Sequence, residues 1–280
     1  MTPVGRPSAE DSGLQRFAAN IRAAVLTFFR SPRPPGRRPV WPPHGRLALG
    51  AIAAVVILIA TVMLIDVRSL AGVRQLPAGV VQVFRYVTDL GLSGWFLYPT
   101  ALLLLLLALA DSPRLPSVMR GVLAAVAVRA GFIFMAIAVP GLFAAVVKRL
   151  IGRARPYVAG EDAWTPLWFG WRADYAAFPS GHVTTAFAAA IAIGALWPKL
   201  RPVMWVYAVA IAVSRVIVTA HHPSDVIAGA IVGTIGALLV RNWYASRRLG
   251  FTVLADGTVH RLPGPSWRRI KAVARRTVSA

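Results

Sequence analysis

The chain has 280 residues, of which 57% are hydrophobic and only 15% are charged. Soluble domains are closer to half apolar and about a quarter charged, so this composition argues against a soluble, disordered or collagen-like chain. Lysine and arginine number 31 against 10 acidic residues, a net charge of +21, and the lack of any cysteine excludes disulfides, thiolate metal sites and cysteine nucleophiles.

The N-terminal segment, residues 1–45, is rich in arginine and proline and precedes the first long apolar run. This order predicts an uncleaved first span rather than a signal peptide. Apolar residues recur at helical spacing behind Ser12, which predicts an amphipathic helix at the membrane surface. They are Leu14, Phe17, Ala18, Ile21, Val25 and Phe28. Residues 31–43 are rich in proline and are expected to form an extended linker.

Six apolar segments follow in the chain. They are Leu47–Ile65, Leu90–Ala110, Val122–Val147, Phe178–Pro198, Val203–Ala220 and Asp225–Val240. About 20 helical residues cross the hydrocarbon core of a bilayer. The sequence therefore predicts an all-α, polytopic membrane protein with six transmembrane helices in residues 46–241. In the basic tail, residues 242–280, we expect a small hairpin around Asp256 and a basic helix from Ser266, with a solvated tail as the alternative.

Positive charge is concentrated in alternate connections of this plan. With the N-terminus in the cytoplasm, the segments 1–46, 111–120, 198–202 and 241–280 are cytoplasmic and contain 21 of the 31 basic residues. This asymmetry follows the positive-inside rule and places both termini in the cytoplasm. Since topology explains the charge, and no basic stripe is interleaved with aromatic residues, we expect no nucleic-acid binding. The compact plan favours the inner membrane of a bacterium, and an organellar membrane with a site facing the lumen is the eukaryotic alternative.

Three polar clusters then fall on the external, periplasmic side, at the ends of the last four spans. The first cluster, residues 148–156, contains four cations. Lys148 and Arg155 are seven residues apart, so a helical segment would place them on nearly the same face. Arg149 and Arg153 need not share that role. The alternative interpretation is that these side chains reach lipid headgroups at the interface.

The second cluster is Pro179-Ser180-Gly181-His182, at the start of the fourth span. Free amide groups at a helix N-terminus bind phosphate, and the Ser180 hydroxyl would add a further donor. Gly181 allows close approach of the backbone, and His182 can exchange a proton near neutral pH. Taken alone, the motif is weak, because Ser-Gly commonly begins a helix.

The third cluster runs from Ser214 to Asp225. An unpaired Arg215 within a span would be costly, so we expect it to face a polar cavity that holds an anion. Asp225 follows His221 by four residues, so its carboxylate can accept the imidazole N–H and leave the other nitrogen as a nucleophile. His222 has no partner in the sequence, and a structural or interfacial role is expected for it.

These clusters resemble the pattern of the type 2 phosphatidic acid phosphatase (PAP2) superfamily, which is K-x6-RP, PSGH and SR-x5-H-x3-D. The chain contains all three blocks, complete, in order and at the same spacing. They are Lys148-x6-Arg155-Pro156, Pro179-Ser180-Gly181-His182 and Ser214-Arg215-x5-His221-x3-Asp225. Three coincident blocks are a far more specific signal than any one of them.

The resemblance implies a phosphatase that needs no metal or cofactor and acts through a phosphohistidine. His221 would attack phosphorus, Asp225 would orient it, and His182 would protonate the leaving oxygen. The phosphate would be held by Lys148, Arg155, Ser180, Gly181 and Arg215. The implied partner is a lipid phosphate: phosphatidic acid, phosphatidylglycerol phosphate, a polyprenyl phosphate or diphosphate, or a glycolipid phosphate.

Two features leave alternatives open. Seven aromatic or large apolar residues between the first two motifs form either an interfacial belt or the rim of a lipid-binding site. They are Trp164, Leu167, Trp168, Phe169, Trp171, Tyr175 and Phe178. The same phosphohistidine could also serve a lipid phosphotransferase, and a phosphate-binding transporter or scaffold is a further alternative. Six spans argue against a vanadate haloperoxidase, and the sequence leaves the oligomeric state open.

Overall fold

A computed structural model describes residues 12–32, 42–112, 114–160, 162 and 164–278. The described chain is mostly helical. Its helices are α1 (Gly13–Phe29), α2 (His44–Thr61), α3 (Val67–Arg74), α4 (Ala78–Asp89), α5 (Gly94–Ala110), α6 (Ser117–Ile151), α7 (Pro156–Ala159), α8 (Gly181–Leu196), α9 (Arg201–Ile217), α10 (Pro223–Ser246) and α11 (Trp267–Val278). A π-helical turn, Val62–Asp66, connects α2 to α3. Most of the predicted proline-rich linker lies outside the described residues.

Within the described residues, five helical segments are long and apolar enough to cross a membrane. They are His44–Arg74, Ala78–Ala110, Ser117–Ile151, Pro198–Ile217 and Pro223–Ser246. They match five of the six predicted spans, which confirms the helical membrane architecture. The remaining predicted span contains α8, which has 16 residues and is therefore about 24 Å long. The count of six spans stays a prediction.

Packing divides the chain into two compact units, and one of them comprises residues 41–97 and 135–240. In this unit α8 packs against α9 through a cluster of small and branched residues, Ala186, Ala190, Ala208 and Ile211. Helix α10 also lies very close to α8. A Cβ atom added at Gly229 would be 2.6 Å from the Ser180 carbonyl oxygen, so the glycine is needed for this approach. The contact positions the N-terminus of α8 beside α10.

The other unit combines residues 98–134 and 241–280 with the described part of 1–40. Its apolar core joins α6 to α11 through Met119, Val122, Leu123 and Val273. A short antiparallel sheet pairs β1 (Phe251–Val253) with β2 (Val259–Arg261). The hairpin predicted around Asp256 is thereby confirmed, and the basic helix expected from Ser266 is α11, which begins one residue later.

Candidate active site

The first polar cluster lies at the end of α6. Lys148 occupies the last turn of α6, and Gly152, with φ of +59°, ends the helix. The glycine is required here because a Cβ atom at that position would collide with the Leu167 carbonyl. The Lys148 ammonium group reaches α8, where a Cβ atom added at Gly181 would lie 3.2 Å from Nζ. Arg155 follows the helix and donates to the Ala173 carbonyl at 3.1 Å.

The second cluster forms the N-terminus of α8. Ser180 is the N-cap residue, and its own amide donates to the Asp225 carbonyl at 3.0 Å. The Ser180 hydroxyl is buried and has no hydrogen-bond partner within the part of the chain that the structure describes. Gly181 and His182 occupy the first helical turn, where backbone amides have no partner within the helix. These groups can donate hydrogen bonds to an anion.

The third cluster joins the end of α9 to the start of α10. Arg215 is buried and donates to the Thr88 hydroxyl at 2.7 Å. His221 is also buried, and its Nδ1 is 3.6 Å from Asp225 Oδ2. That separation exceeds the roughly 3.2 Å limit of an ordinary N–H···O bond, so the expected His221–Asp225 hydrogen bond is not closed in this structure. The two groups are nevertheless in electrostatic contact.

All three clusters converge on the two histidines. His182 is close enough to His221, Lys148, Arg155 and Arg215 for their charges to act on its imidazole. Burial lowers the pKa of His221 to about 4, and the carboxylate of Asp225 opposes part of this shift. His221 is therefore neutral at physiological pH, and a neutral imidazole retains the lone pair that a nucleophile requires.

A buried ionic network, which the sequence analysis did not foresee, supports Asp225. The Arg153 side chain is 0% exposed and donates from Nη1 to Asp225 Oδ1 at 2.6 Å and to the Ser224 hydroxyl at 2.7 Å. Its Nη2 donates to Asp66 Oδ2 at 2.7 Å. Asp66 also accepts from the Ser224 amide at 3.0 Å and from the Ser224 hydroxyl at 2.5 Å. Two buried carboxylates thus share one guanidinium group.

Two neighbouring residues have different roles from these. Arg149 donates to the Trp171 carbonyl at 3.0 Å on the surface, so it is separate from the buried Arg153. A structural or interfacial role was expected for His222, and both nitrogens of its buried imidazole have no hydrogen-bond partner among the described residues. Its backbone amide donates to Asp225 Oδ2 at 2.8 Å, and its Nδ1 is 3.5 Å from the same oxygen, because the turn before α10 wraps around that carboxylate.

A cavity of about 280 Å³ lies beside His182. Its walls come from the α4–α5 connection, from the first turn of α5, from α6 and from α8. They are mainly apolar and include Leu92, Leu97, Ile137 and Leu142. The arrangement combines a cationic region with an apolar space next to one of its histidines.

Within the described residues, no three His, Asp or Glu side chains form a group that could hold a metal ion. The independence from metals stays a prediction.

Comparison with known proteins identifies the family. Residues 129–249 match the PAP2 superfamily. The chain is 34% identical over 190 residues to the lipid A 1-phosphatase of Rhizobium johnstonii, an alignment that covers 66% of this chain and 77% of that protein. The chain belongs to the PAP2 superfamily.

Other PAP2 relatives are similar over smaller regions or at lower identity. A decaprenylphosphoryl-5-phosphoribose phosphatase of Mycobacterium tuberculosis is 35% identical over 138 residues, which cover 48% of this chain and 68% of that protein. The solved transmembrane PAP2 type phosphatidylglycerolphosphate phosphatase of Bacillus subtilis is 19% identical, with a TM-score of 0.48, over 69% of this chain and 94% of that chain. Together with the apolar helices, the family membership makes this chain a PAP2-type phosphatase of the membrane.

Proposed function

We propose that this PAP2 protein hydrolyses a lipid phosphate or diphosphate through a phosphohistidine on His221. The observation that carries the proposal is the convergence of two histidines, Asp225 and three cationic side chains on one place in a single compact unit. Binding alone would need the cations, but it would need neither a neutral imidazole beside a carboxylate nor a second histidine. The names of the relatives, all phosphatases, agree with this interpretation.

The first step is nucleophilic attack. Nε2 of His221 forms a bond to phosphorus while the bond between phosphorus and the leaving oxygen breaks. His182 gives a proton to that oxygen as general acid. Asp225 stabilises the imidazolium that forms on His221.

The cations and amides stabilise the transferring group. Lys148, Arg155 and Arg215 neutralise the equatorial oxygens, and the Ser180 hydroxyl and the Gly181 amide add hydrogen bonds. Preorganised donors of this kind supply much of the stabilisation in phosphoryl transfer, where little covalent chemistry is left to the protein. Water then attacks the phosphohistidine, with His182 acting as base, and releases inorganic phosphate.

We assign Arg153 and Asp66 as positioning residues for this reaction. Neither is proposed to touch the substrate. Arg153 holds one oxygen of Asp225, and Asp66 in turn holds Arg153 and the Ser224 backbone. Fixing Asp225 in this way fixes the orientation of His221, whose Nδ1 faces the other oxygen of the same carboxylate.

A lipid substrate is supported by the surroundings of His182. His182, which would protonate the leaving oxygen, lines this apolar cavity. An apolar leaving group can therefore occupy the cavity. Trp168, Phe169 and Trp171 are exposed in the loop after the first motif, where they can contact lipid or line the way to the site. The headgroup classes remain phosphatidic acid, phosphatidylglycerol phosphate, polyprenyl phosphates or diphosphates, and glycolipid phosphates such as lipid A.

The proposed topology has six spans in residues 46–241, with α8 as the short fourth span and the active site on the periplasmic side of a bacterial inner membrane. The basic segments 1–45 and 242–280 are proposed to be cytoplasmic. Two contacts within one compact unit support placing both segments on the same side of the membrane. In that unit α1 forms a hydrogen bond with the end of α5 and stacks on the end of α10.

The function is tested by measuring phosphate release from a panel of lipid phosphates and diphosphates in detergent with excess EDTA. We expect release from at least one class, because three cationic side chains replace the metal. Loss of the donor phosphate without free phosphate would instead indicate a phosphotransferase. An intact donor across the whole panel, in protein shown to be folded, would contradict the proposed hydrolysis.

Filling the cavity should separate lipid substrates from small ones. A Cβ atom added at Gly141 meets no atom within 4 Å, so Gly141→Leu extends into the cavity without a backbone clash. We expect kcat/KM to fall about 10- to 100-fold for the lipid, as when apolar contacts are lost from a pocket, and to stay within about twofold for an aryl phosphate. Gly121→Leu, in the same helix and equally unhindered, is the control. An equal loss with both substrates would show that the cavity does not hold the lipid.

The fall of kcat/KM on the acid side of the pH profile should occur at an unusually low pH. Because burial depresses the pKa of His221 to about 4, the imidazole stays unprotonated well below the value of about 6.5 for free histidine. We therefore expect the His221 limb of kcat/KM to appear near pH 4. Two substrates whose phosphates titrate differently distinguish this limb, which is common to both, from substrate ionisation. A common limb near pH 6.5 would contradict the depressed pKa.

A further inference from the structure

Helix α1 has an apolar surface that the described protein does not cover. Five large apolar residues of α1 are exposed. Leu26, at 43%, lies apart from the others, and the remaining four follow at spacings of seven, four and four, which place them along one side of the helix. They are Leu14 at 78%, Ile21 at 36%, Val25 at 50% and Phe29 at 65%. We call this set the α1 stripe. An exposed apolar stripe on a helix that is itself well capped, by reciprocal bonds between Ser12 and Gln15, indicates a partner other than the described residues.

A different side of α1 is attached to the ends of two spans. Asn20 donates to the carbonyls of Ala108 at 2.8 Å and Asp111 at 2.9 Å, where α5 ends. The Phe28 ring lies 5.9 Å from that of Trp243, near the end of α10, and the Trp243 indole donates to the Phe28 carbonyl at 3.2 Å. Since α5 and α10 belong to segments that can cross the membrane, these contacts hold α1 at the membrane boundary.

The charges of α1 are complementary to an anionic surface. The helix contains Arg16 and Arg22, Arg30 follows its last residue, and no acidic residue lies within it. Arg22 is exposed and lies beside the α1 stripe. Basic amphipathic helices of this kind bind in the plane of anionic bilayers, with the apolar side below the headgroups and the cations among them.

We propose that α1 is an in-plane membrane anchor whose apolar stripe inserts into the anionic leaflet at the end of α5 and α10. The occupant of the stripe is the lipid of that leaflet, not a second copy of the chain. This inference is independent of the phosphatase reaction. It makes the insertion depth of α1 sensitive to the anionic lipid content of the membrane.

The chain contains no cysteine, so single spin labels can be introduced into the 280-residue protein without other changes. Ile21→Cys and Val25→Cys report on the α1 stripe, and Ala23→Cys, exposed on the opposite side, is the matched control. The labelled proteins are reconstituted in vesicles with and without anionic phospholipid. Power saturation with oxygen and a water-soluble nickel chelate then gives the depth of each label.

We expect the stripe labels to lie about 5–10 Å below the phosphates in anionic vesicles and to be accessible to oxygen, while the Ala23 label is accessible to nickel. Replacing Arg16 and Arg22 together with glutamine should reduce the depth to the value in uncharged vesicles and leave phosphate release unchanged. Nickel access at the stripe equal to that at Ala23 would overturn the proposal. So would spin–spin broadening between stripe labels, which would identify a second copy as the partner.

Discussion

Replacing His221 with asparagine is expected to abolish phosphate release, with a fall in kcat on the order of 10⁴ to 10⁶, as for nucleophiles of other covalent hydrolases. Asparagine has a similar shape but no ring nitrogen that could attack phosphorus. Lipid phosphate should still bind, because Lys148, Arg155 and Arg215 remain in place. The measurement is steady-state phosphate release together with equilibrium binding of the substrate.

Replacing His182 should give a different result from replacing His221. With a good aryl leaving group no acid is needed for the first step, so His182→Ala should still form the phosphohistidine but hydrolyse it slowly. An acid-labile phosphoprotein should therefore accumulate in His182→Ala and be lost when His221 is also replaced. Residual turnover in His221→Asn near that of the wild type would mean that another group attacks phosphorus.

Removing the charge of Asp66 is expected to reduce kcat about 100-fold with little change in KM, the size of effect that follows from small misplacement of a reacting group. Asp66 accepts from Arg153, from the Ser224 amide and from the Ser224 hydroxyl. Asparagine offers only one acceptor oxygen, so Asp66→Asn leaves a buried donor unpaired and releases Arg153. Asp225 and His221 should then lose their fixed orientation.

Controls distinguish positioning from general instability. Arg149→Gln alters a surface arginine in the same segment as Arg153 and should behave as wild type. Asp66→Glu restores the charge and should recover part of kcat. The melting temperature in detergent is measured for each variant, and a fall in activity that merely tracks unfolding, or a rise in KM alone, would contradict the positioning role.

The site blocks were predictable from sequence because their chemistry requires fixed spacing. Lys148, the start of α8 and His221 with Asp225 could be placed on one side of the membrane from the span pattern alone. The structure brings these residues together in one unit. Sequence spacing could not predict the distance between the His221 ring and the Asp225 carboxylate. This distance of 3.6 Å depends on how the turn before α10 wraps around the carboxylate.

Asp66 and Arg153 were missed for a physical reason. The predicted first span ended at Ile65, one residue before Asp66, because the apolar run ends at the first charged residue. The helix in fact continues through a π-helical turn that ends at Asp66, and a regular helical period does not reveal such a turn. An acidic residue directly at the end of an apolar run was the available signal. Arg153 was concealed among three other cations of the same segment.

The length of α8 illustrates a second limit. Hydropathy predicts a span from Phe178 to Pro198, but the helix occupies Gly181–Leu196. The preceding residues lie before the N-cap at Ser180, and Pro198 begins a separate 3₁₀ turn. Apolar content therefore measures how far a segment can be buried, while caps and prolines decide how much of it is helical.

The buried network also bears on the lifetime of the proposed intermediate. Asp66 and Asp225 carry two negative charges against the single positive charge of Arg153, so the group as a whole is anionic. Phosphorylation at Nε2 would make the His221 ring cationic beside this group, which favours keeping the proton on Nδ1. A protonated imidazole is the better leaving group from phosphorus. In the proposed mechanism, the same charges that orient His221 would thus keep the phosphorus–nitrogen bond labile, so that phosphate would pass on to water instead of remaining on the enzyme.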